Sequence, residues 1–300
     1  SDVHLGPLPP GAVWQNFALK RLVGAVNWNW RRHKQHDRAI SSSLVADIVA
    51  ASPDHVAFTG DLLNLSAYAE FPRAARWLQG FGDPAWISYV PGNHDAYVPV
   101  PWKHGLAHLA PYMTGDMAAP GSQASFPYVR LRRNLALIGL NSGVPQSLTR
   151  AAGALGPKQL EALPGILHDL KAKGYYRAVM IHHPPLPGLA PPRKALRDAA
   201  QLRDILASEG AELVLHGHNH QQMLNVLAGR DGDIPVIGVP SASMNETGHA
   251  EPAAWNLGAS EWTTMKNVII PFTRPSIIAA LCLTAAVSFD EFAVAWFVSG

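Results

Sequence analysis

The sequence predicts a chain of the α/β (α+β) class, built as a mixed-sheet sandwich flanked by helices. Short apolar runs end in polar clusters, which is typical of strands whose carboxyl ends carry a site. Amphipathic stretches with apolar residues at spacings of three and four separate these runs. Towards the end of the chain, strand-like segments follow one another without helices between them, so the sheets are expected to be mixed.

Four strands are predicted directly before polar clusters. They are Val56-Ala57-Phe58 before Thr59-Gly60-Asp61, Trp86 to Val90 before Pro91-Gly92-Asn93-His94-Asp95, Ala178 to Ile181 before His182-His183, and Leu213 to Leu215 before His216-Gly217-His218-Asn219-His220. Helices are predicted at about 38–51, 67–80, 157–173 and 197–208. Further strands are predicted at 128–131, 135–140, 223–227 and 236–239.

Composition limits the classes of function. The 300 residues are 48% hydrophobic, enough for a core, and the net charge of +2 gives no global field that would favour nucleic acid or an anionic membrane. The single cysteine, Cys282, excludes an internal disulfide and a CxxC zinc site. Any metal must therefore be bound by histidines, carboxylates and amides.

The polar clusters contain the ligand types that a pair of divalent cations needs, namely imidazoles, an amide oxygen and a carboxylate able to bridge. In Asp2-Val3-His4 and in His218-Asn219-His220, two ligands alternate along an extended chain and so point the same way. Each signal alone has a structural alternative, since Asp61 could be a helix N-cap and a buried histidine is usually a hydrogen-bonded core residue. Their joint occurrence at successive strand ends favours a metal site.

In their order along the chain, the motifs resemble those of the calcineurin-like metallophosphoesterase superfamily over about residues 1–250. These motifs are Asp2-x-His4, Gly60-Asp61, Gly92-Asn93-His94-Asp95, His182 and Gly217-His218-x-His220. The resemblance implies a four-layer αββα sandwich and two divalent metal ions, which could be Mn, Fe, Zn or Co. It also implies the ligands: Asp2, His4 and His220 for one metal, Asn93, His182 and His218 for the other, and Asp61 bridging.

The resemblance further implies how the site would work. His94 would be an unligated histidine near the phosphate, acting as general acid or charge stabiliser while a metal-activated hydroxide attacks. Asp95 would orient His94, or alternatively cap a turn. Of the adjacent pair, His182 is favoured as the ligand, and His183 would either support the ligands or lie near the substrate. Asn141 is expected to border the site, with a strand-ending turn as the alternative.

Within the superfamily, the chain is similar to bacterial class III cyclic-nucleotide phosphodiesterases and to glycerophosphodiesterase-like relatives. This implies a bacterial cytoplasmic hydrolase acting on small phosphodiesters, with nucleic acid an unlikely substrate. A phosphomonoesterase or nuclease of the same superfamily is one alternative, and a non-catalytic metal-binding scaffold or a transporter-associated protein is another.

Five arginines are candidate phosphate contacts, although most of them are expected to be ordinary surface charges. They are Arg130, Arg132, Arg133, Arg193 and Arg197.

Two segments depart from the family pattern. The chain begins at the Asp2-x-His4 motif, without the strand that normally precedes it, so we expect Asp2 and His4 to be weakly anchored. Residues 20–38 interleave six Lys and Arg with tryptophans and histidines. This segment is either a substrate lid or nucleic-acid contact, or a solvated amphipathic helix whose tryptophans pack on the domain.

The tail differs from the rest. We place the metallophosphoesterase domain at 1–252 and a hydrophobic helical tail at 253–300, which resembles an EAA-loop fragment of polyamine-type ABC-transporter permeases. Residues 275–289 carry no charge, but fifteen residues are short for a membrane span. The tail is predicted to be a fused fragment or a C-terminal core helix, and it could supply a homodimer contact or weak membrane association.

Overall fold

The computed structural model describes residues 1–14, 17–118 and 125–245. The tail at 253–300 and the junction at 252 lie outside these residues, so the predictions made for them stay predictions. Within the described residues, no helix is long and apolar enough to cross a membrane.

The described chain contains two sheets, as predicted. The small sheet pairs two parallel strands, β1 (Val56–Phe58) and β2 (Ile87–Tyr89). The large sheet has six strands in the order β3-β4-β5-β6-β8-β7. Its inner pairs are parallel and its two outer pairs are antiparallel, which confirms the prediction of a mixed sheet. The strands are β3 (Tyr128–Arg132), β4 (Leu135–Gly139), β5 (Tyr176–Met180), β6 (Leu213–His216), β7 (Met223–Gly229) and β8 (Gly232–Gly238).

The four predicted helices are present within a few residues of their expected bounds. They are α3 (Arg38–Ala51), α4 (Glu70–Phe81), α5 (Pro157–Ala172) and α6 (Ala199–Glu209). Two shorter ones precede them, α1 (Leu19–Asn27) and α2 (His33–Gln35), joined by a π-helical turn at Trp28–Arg32. Short 3-10 helices at Trp102–His104 and Leu106–Met113 complete the described helices.

Two hydrophobic cores set the order of the layers. Along β5, Ala178 and Met180 belong to the core shared with the small sheet and α4, whereas Val179 belongs to the core shared with α5 and α6. A strand that buries both faces has apolar side chains at successive positions, which explains the continuous apolar run before His182. The layers are therefore helix, small sheet, large sheet and helix, as the family resemblance implied.

The N-terminal segment is held by the small-sheet side of the site. The backbone amides of Asp2, His4 and Leu5 donate to the carbonyls of Gly60, Asp61 and Leu62 at 2.8, 3.1 and 2.9 Å. Asp2 and His4 are 0% and 1% exposed. The expectation that these two ligands are weakly anchored is therefore wrong for this structure.

Helix α1 packs its basic residue inward and leaves apolar ones in solvent. Arg21 is fully buried and donates to the carbonyls of Leu65 and Ser66. Trp28 is also buried, whereas Trp30 is 77% exposed. The prediction that the tryptophans pack on the domain is thus right for Trp28 and wrong for Trp30.

Candidate metal centre

The predicted ligands follow strand ends that meet at one edge of the sandwich. Asp61 and Asn93 come after the parallel strands β1 and β2, and His182 and His218 come after the parallel strands β5 and β6. Because the carboxyl ends of parallel strands lie at the same edge, side chains far apart in sequence converge there. The structure brings all seven predicted ligands together.

One group of ligand atoms surrounds His220. Its Nε2 lies 3.3 Å from His4 Nε2 and 3.4 Å from Asp2 Oδ1. Asp61 Oδ2 lies 3.8 Å from His4 Nε2. These are the residues that the resemblance implied for the first metal position.

A second group surrounds His182. Its Nε2 lies 3.4 Å from Asp61 Oδ2, 3.2 Å from Asn93 Oδ1 and 3.3 Å from His218 Nδ1. The same oxygen of Asp61 therefore takes part in both groups. A carboxylate in this position could bridge two cations.

The donor set and its spacing fit divalent metal ions. Two atoms bound at about 2.1 Å to one cation lie about 3.0 to 3.4 Å apart at octahedral or tetrahedral angles, close to the separations in both groups. In the described part of the chain, the buried Asp2 Oδ1 has no hydrogen-bond partner. A buried carboxylate oxygen without a donor is costly unless a cation compensates it.

Backbone carbonyls orient two of the histidines. The Nδ1 atoms of His4 and His182 lie 3.1 and 2.7 Å from the carbonyl oxygens of Leu63 and Thr59. A carbonyl can only accept, so each Nδ1 carries a proton and Nε2 is the nitrogen left to bind a metal at the centre. Imidazoles in this tautomer are ready to bind a metal.

The ligand backbone is unusual. Positive φ angles occur at five of the seven ligands, with values of 51, 45, 58, 71 and 58° for Asp2, His4, Asp61, His218 and His220. Residues with a side chain avoid this region, and such strain clusters at functional sites. The expectation of an extended backbone at Asp2-x-His4 and His218-x-His220 is therefore wrong, and the loops hold the backbone at these ligands in a conformation that the isolated chain disfavours.

Two glycines make room for the ligands. A Cβ on Gly92 would lie 2.2 Å from Asp61 Oδ1, so only glycine allows the carboxylate its position. Gly60 has φ +100°, and a Cβ there would lie 2.8 Å from His182 Nδ1. These contacts explain why glycine precedes Asp61 and Asn93 in the motifs.

Electrostatics couple the two sheets across Asp61. Burial disfavours a charged His182, but the nearby carboxylates of Asp61 and Asp2 outweigh it and raise the pKa of His182 to about 9. Burial raises the pKa of Asp61, but His182 and His94 outweigh it, so that the net shift is downward. A cation bound here would replace the proton on His182 as the partner of Asp61.

His94 faces the cleft through one nitrogen. Its Nδ1 donates to the carbonyl of Asn64 at 2.6 Å, and its Nε2 accepts from Arg32 at 2.8 Å. Burial, followed by the charge of Arg32, lowers the pKa of His94 to about 3. The ring also stacks on Tyr97 with centroids 5.3 Å apart.

Asp95 lies beneath the loop that carries Asp61. Its carboxylate accepts hydrogen bonds at 2.5–3.0 Å from four backbone amides and one hydroxyl: Asp61 N, Leu62 N, Leu63 N, Gly92 N and Tyr89 Oη. These contacts fit the alternative prediction, in which Asp95 caps a turn. Since His94 is oriented by Asn64 and Arg32, the structure gives no support to a direct Asp95–His94 hydrogen bond.

Arg32 is a site residue that sequence reasoning did not single out. Its Nη2 lies 3.0 Å from His4 Nε2, in addition to the contact with His94. The π-helical turn at Trp28–Arg32 carries it to the centre. The signal in the sequence was the basic segment 20–38, which did not show which arginine enters the site.

His36 was also missed. Its ring centroid lies 4.5 Å from that of His4, and its Nδ1 lies 2.8 Å from Ser243 Oγ. The ligand nitrogens of His4, His36 and His220 come within 4.8 Å of one another. Its place in the segment 20–38 gave no spacing that would mark it as a ligand.

A cleft of about 350 Å³ opens over the ligands. Besides Asp61, Asn93 and His94, its walls carry five cations: Lys20, Arg32, Arg150, Arg193 and Lys194. None of the five forms an ion pair with a carboxylate of the described residues. Burial lowers the pKa of Lys20 to about 8. The cleft is suited to anions.

His183 and Asn141, which were predicted to border the substrate, make hydrogen bonds within the protein instead. The ring nitrogens of His183 lie 2.8 Å from Ser142 Oγ and 3.1 Å from the carbonyl of Ala151. Asn141 Oδ1 accepts from the amide of Gly143 at 2.9 Å, which is the turn alternative. Neither residue is among those that line the described cleft.

The arginines named as candidate phosphate contacts separate into two kinds. Arg130 is buried and donates to backbone carbonyls of Thr114, Pro84, Ile87 and Pro111, so its role is structural. Arg132 pairs with Asp116 at 3.1 Å. Arg193 lines the cleft.

Residues 1–222 match the calcineurin-like phosphoesterase family. The chain belongs to this family. The family consists of phosphoester hydrolases that use divalent metal ions and act on small phosphate esters.

Relatives of this calcineurin-like phosphoesterase include two cyanobacterial proteins. A probable cyclic nucleotide phosphodiesterase from Synechococcus sp. (strain ATCC 27144 / PCC 6301) is 25% identical over 72% of this chain and 75% of its own length. Another from Synechococcus sp. (strain WH7803) is 36% identical over 31% of this chain, but the match spans only 36% of that protein. Among solved structures, a dimetal phosphatase from Danio rerio superposes with a TM-score of 0.53 at 15% identity, covering 69% of this chain and 80% of that one. This last likeness concerns the fold alone.

Proposed function

We propose that the chain is a dinuclear phosphodiesterase that hydrolyses small phosphodiesters, with cyclic nucleotides and glycerophosphodiesters as the leading substrates. The observation that carries the proposal is that Asp61 Oδ2 lies near both groups of ligand atoms, 3.8 Å from His4 Nε2 and 3.4 Å from His182 Nε2. The names of the two cyanobacterial relatives support a diester over other esters.

Each residue has a role in this proposal. Asp2, His4 and His220 would hold one divalent ion, Asn93, His182 and His218 would hold the other, and Asp61 would serve both. Two ions so held would supply Lewis acidity and a water that ionises near neutral pH. Their identity is left among Mn, Fe, Zn and Co by the mixed nitrogen and oxygen ligands.

Arg32 and His94 act on the phosphate. The contact of Arg32 with His94 Nε2 marks a place where a phosphate oxygen would accept hydrogen bonds from both. The positive charge of Arg32 lowers the pKa of His94, and an anion bound there would offset that charge and raise the pKa of His94. His94 could then stabilise the developing charge or donate the proton from Nε2 to the leaving oxygen.

Asp95, His183 and Asn141 support the site in this proposal. Asp95 fixes the Asp61 loop through backbone amides. His183 packs against His218, with ring centroids 4.5 Å apart. Asn141 shapes the turn behind them. None of the three is assigned a contact with substrate.

A phosphomonoesterase is the second candidate. The five cations of the cleft favour it, because a monoester dianion carries one more negative charge than a diester. A metal-binding scaffold without activity would be expected to lack a ligand or His94, and all of these residues converge in the structure.

A hydrolysis panel tests the proposal. The protein is stripped with a chelator, reloaded with Mn, Fe, Zn, Co or Mg, and assayed on bis(p-nitrophenyl) phosphate, p-nitrophenyl phosphate and 3′,5′-cyclic AMP. We expect metal-dependent turnover with the diesters preferred. A preference for p-nitrophenyl phosphate would select the second candidate, and no metal-dependent turnover of any ester would reject both.

A further inference from the structure

We propose that the exposed apolar face of α1, with the aromatic residues on either side of it, docks on an anionic lipid surface. We call this face the α1 stripe; it consists of Leu19, Val23 and Val26 together with Trp30. Their exposed fractions are 62, 46, 46 and 77%. The spacings of four, three and four residues place the side chains along one side of the helical segment.

The opposite face of the same helix is buried through Arg21, Gly24 and Ala25. Lys20, Gly24 and Asn27 line the cleft. At about 100° per residue, these three lie roughly a quarter turn from Leu19, Val23 and Val26. Helix α1 is thus amphipathic in an unusual sense, because its apolar side faces solvent and its more polar side faces the protein.

More apolar surface lies just before the helix. Trp14 and Phe17 are 73% and 57% exposed, and their rings stack with centroids 6.0 Å apart. Burying a large apolar side chain is favourable, so several of them left in water on one segment indicate an interaction surface. Tryptophan in particular favours the boundary between water and lipid.

The charge around the stripe selects the partner. Residues 11–46 contain six Lys and Arg and one acidic residue, Asp37. Arg21 is buried and Lys20 and Arg32 line the cleft, so three of the six cations remain for the outer surface. Arg31, Lys34 and Arg38 are exposed. Basic residues next to an exposed apolar helix face are the pattern of helices that lie in the headgroup region of anionic bilayers. Two copies of this face would repel each other, which disfavours a second copy of the chain as the partner.

The geometry links the surface to the cleft. Since the cleft residues of α1 lie a quarter turn from the stripe, docking would leave the cleft mouth beside the lipid surface and not sealed against it. If the proposed function holds, the enzyme would meet phosphoesters presented at that surface. The docking itself does not depend on hydrolysis and is tested without it.

Vesicle co-sedimentation of the full chain tests the proposal. The vesicles are phosphatidylcholine alone and phosphatidylcholine mixed with phosphatidylglycerol. We expect binding to the mixed vesicles that weakens with salt, and a partition coefficient lowered about tenfold or more by V26S/W30S. The matched control is M117S/V226S, which removes two exposed apolar side chains away from α1, at 92% and 44% exposure, and should bind as the parent does.

Other outcomes overturn the inference. If the parent does not sediment with anionic vesicles, the lipid assignment is wrong. If V26S/W30S binds as well as the parent, another part of the chain such as the apolar residues 275–289 carries the binding. If light scattering shows a dimer that V26S/W30S dissociates, the stripe is a contact between copies. Far-UV circular dichroism and thermal unfolding should be the same in parent and variants, which shows that the variants are folded.

Discussion

The guanidinium of Arg32 donates to Nε2 of His94 at 2.8 Å, on the side of the ring that faces the cleft. The same side chain reaches His4 Nε2 at 3.0 Å. A cation that the fold places beside both a metal ligand and the cleft histidine is positioned to meet the charge of a phosphate.

Arg32→Gln should lower kcat/KM for bis(p-nitrophenyl) phosphate by about a hundredfold, the usual effect of removing one donor that stabilises charge in a transition state. Steady-state kinetics at saturating metal measure it. Arg31→Gln removes the exposed neighbouring charge and serves as the control. Equal losses in the two variants would mean that Arg32 acts only through the general field of the segment.

Asp61→Asn should reduce the number of bound divalent ions below two per chain and lower turnover by about a hundredfold or more, because the bridging charge is lost. Equilibrium dialysis followed by elemental analysis counts the ions. Asp47→Asn, at an exposed position on α3, is the control and should bind as the parent does. Two tightly bound ions in Asp61→Asn would contradict the assignment of Asp61 as the bridge.

Gly92→Ala should weaken metal binding, since the new Cβ would lie 2.2 Å from Asp61 Oδ1 and must displace the carboxylate. Isothermal titration with Mn or Zn measures the affinity. A Cβ on Gly80, near the end of α4, would meet no atom within 4 Å. Gly80→Ala should therefore leave metal binding intact and raise the free energy of unfolding by about 0.5–1 kcal/mol. Unchanged metal affinity in Gly92→Ala would show that the Asp61 loop can shift freely.

Acid should destabilise the protein through His55, a buried residue that directly precedes β1, at the end opposite to Asp61. Its Nε2 lies 2.7 Å from Ser88 Oγ, and its Nδ1 accepts from Arg132 at 3.2 Å. Burial, followed by the charges of Arg132 and Arg130, lowers the pKa of His55 to about 3. His55 is therefore protonated below about pH 6.5 in the unfolded chain but only below about pH 3 in the folded one. Its contribution to the free energy of unfolding is complete above pH 6.5 and is lost as the pH falls towards 3.

Between pH 7 and 4, His55 should account for a loss on the order of 3 kcal/mol in the free energy of unfolding. Urea unfolding at both pH values, with a chelator present, measures the loss in the parent and in His55→Gln. We expect a smaller loss in the variant, and a loss equal to that of the parent in the control His108→Gln, at an exposed position. An equal loss in parent and His55→Gln would contradict the buried neutral state.

Strand ends were predictable because a strand buried on both faces has a distinctive sequence and its carboxyl end is marked by a polar cluster. The run before His182 is an example, and it placed this side chain beside Asn93, another predicted ligand. The position of Arg32 was not predictable, because it depends on a π-helical turn and on the packing of α1 against residues distant in sequence. The burial of Arg130 was missed for a similar reason, since the four carbonyls that accept from it come from two segments distant in sequence, 84–87 and 111–114. Local patterns report local structure, and these two side chains are placed by tertiary contacts.

The left-handed backbone at five ligands has a practical consequence. Part of the free energy of metal binding must hold those loops in conformations that they would otherwise leave, so metal binding and global stability are linked. The melting temperature should then rise with each divalent ion in the order of its affinity. A thermal shift screen could therefore rank the divalent ions by affinity without the use of a substrate.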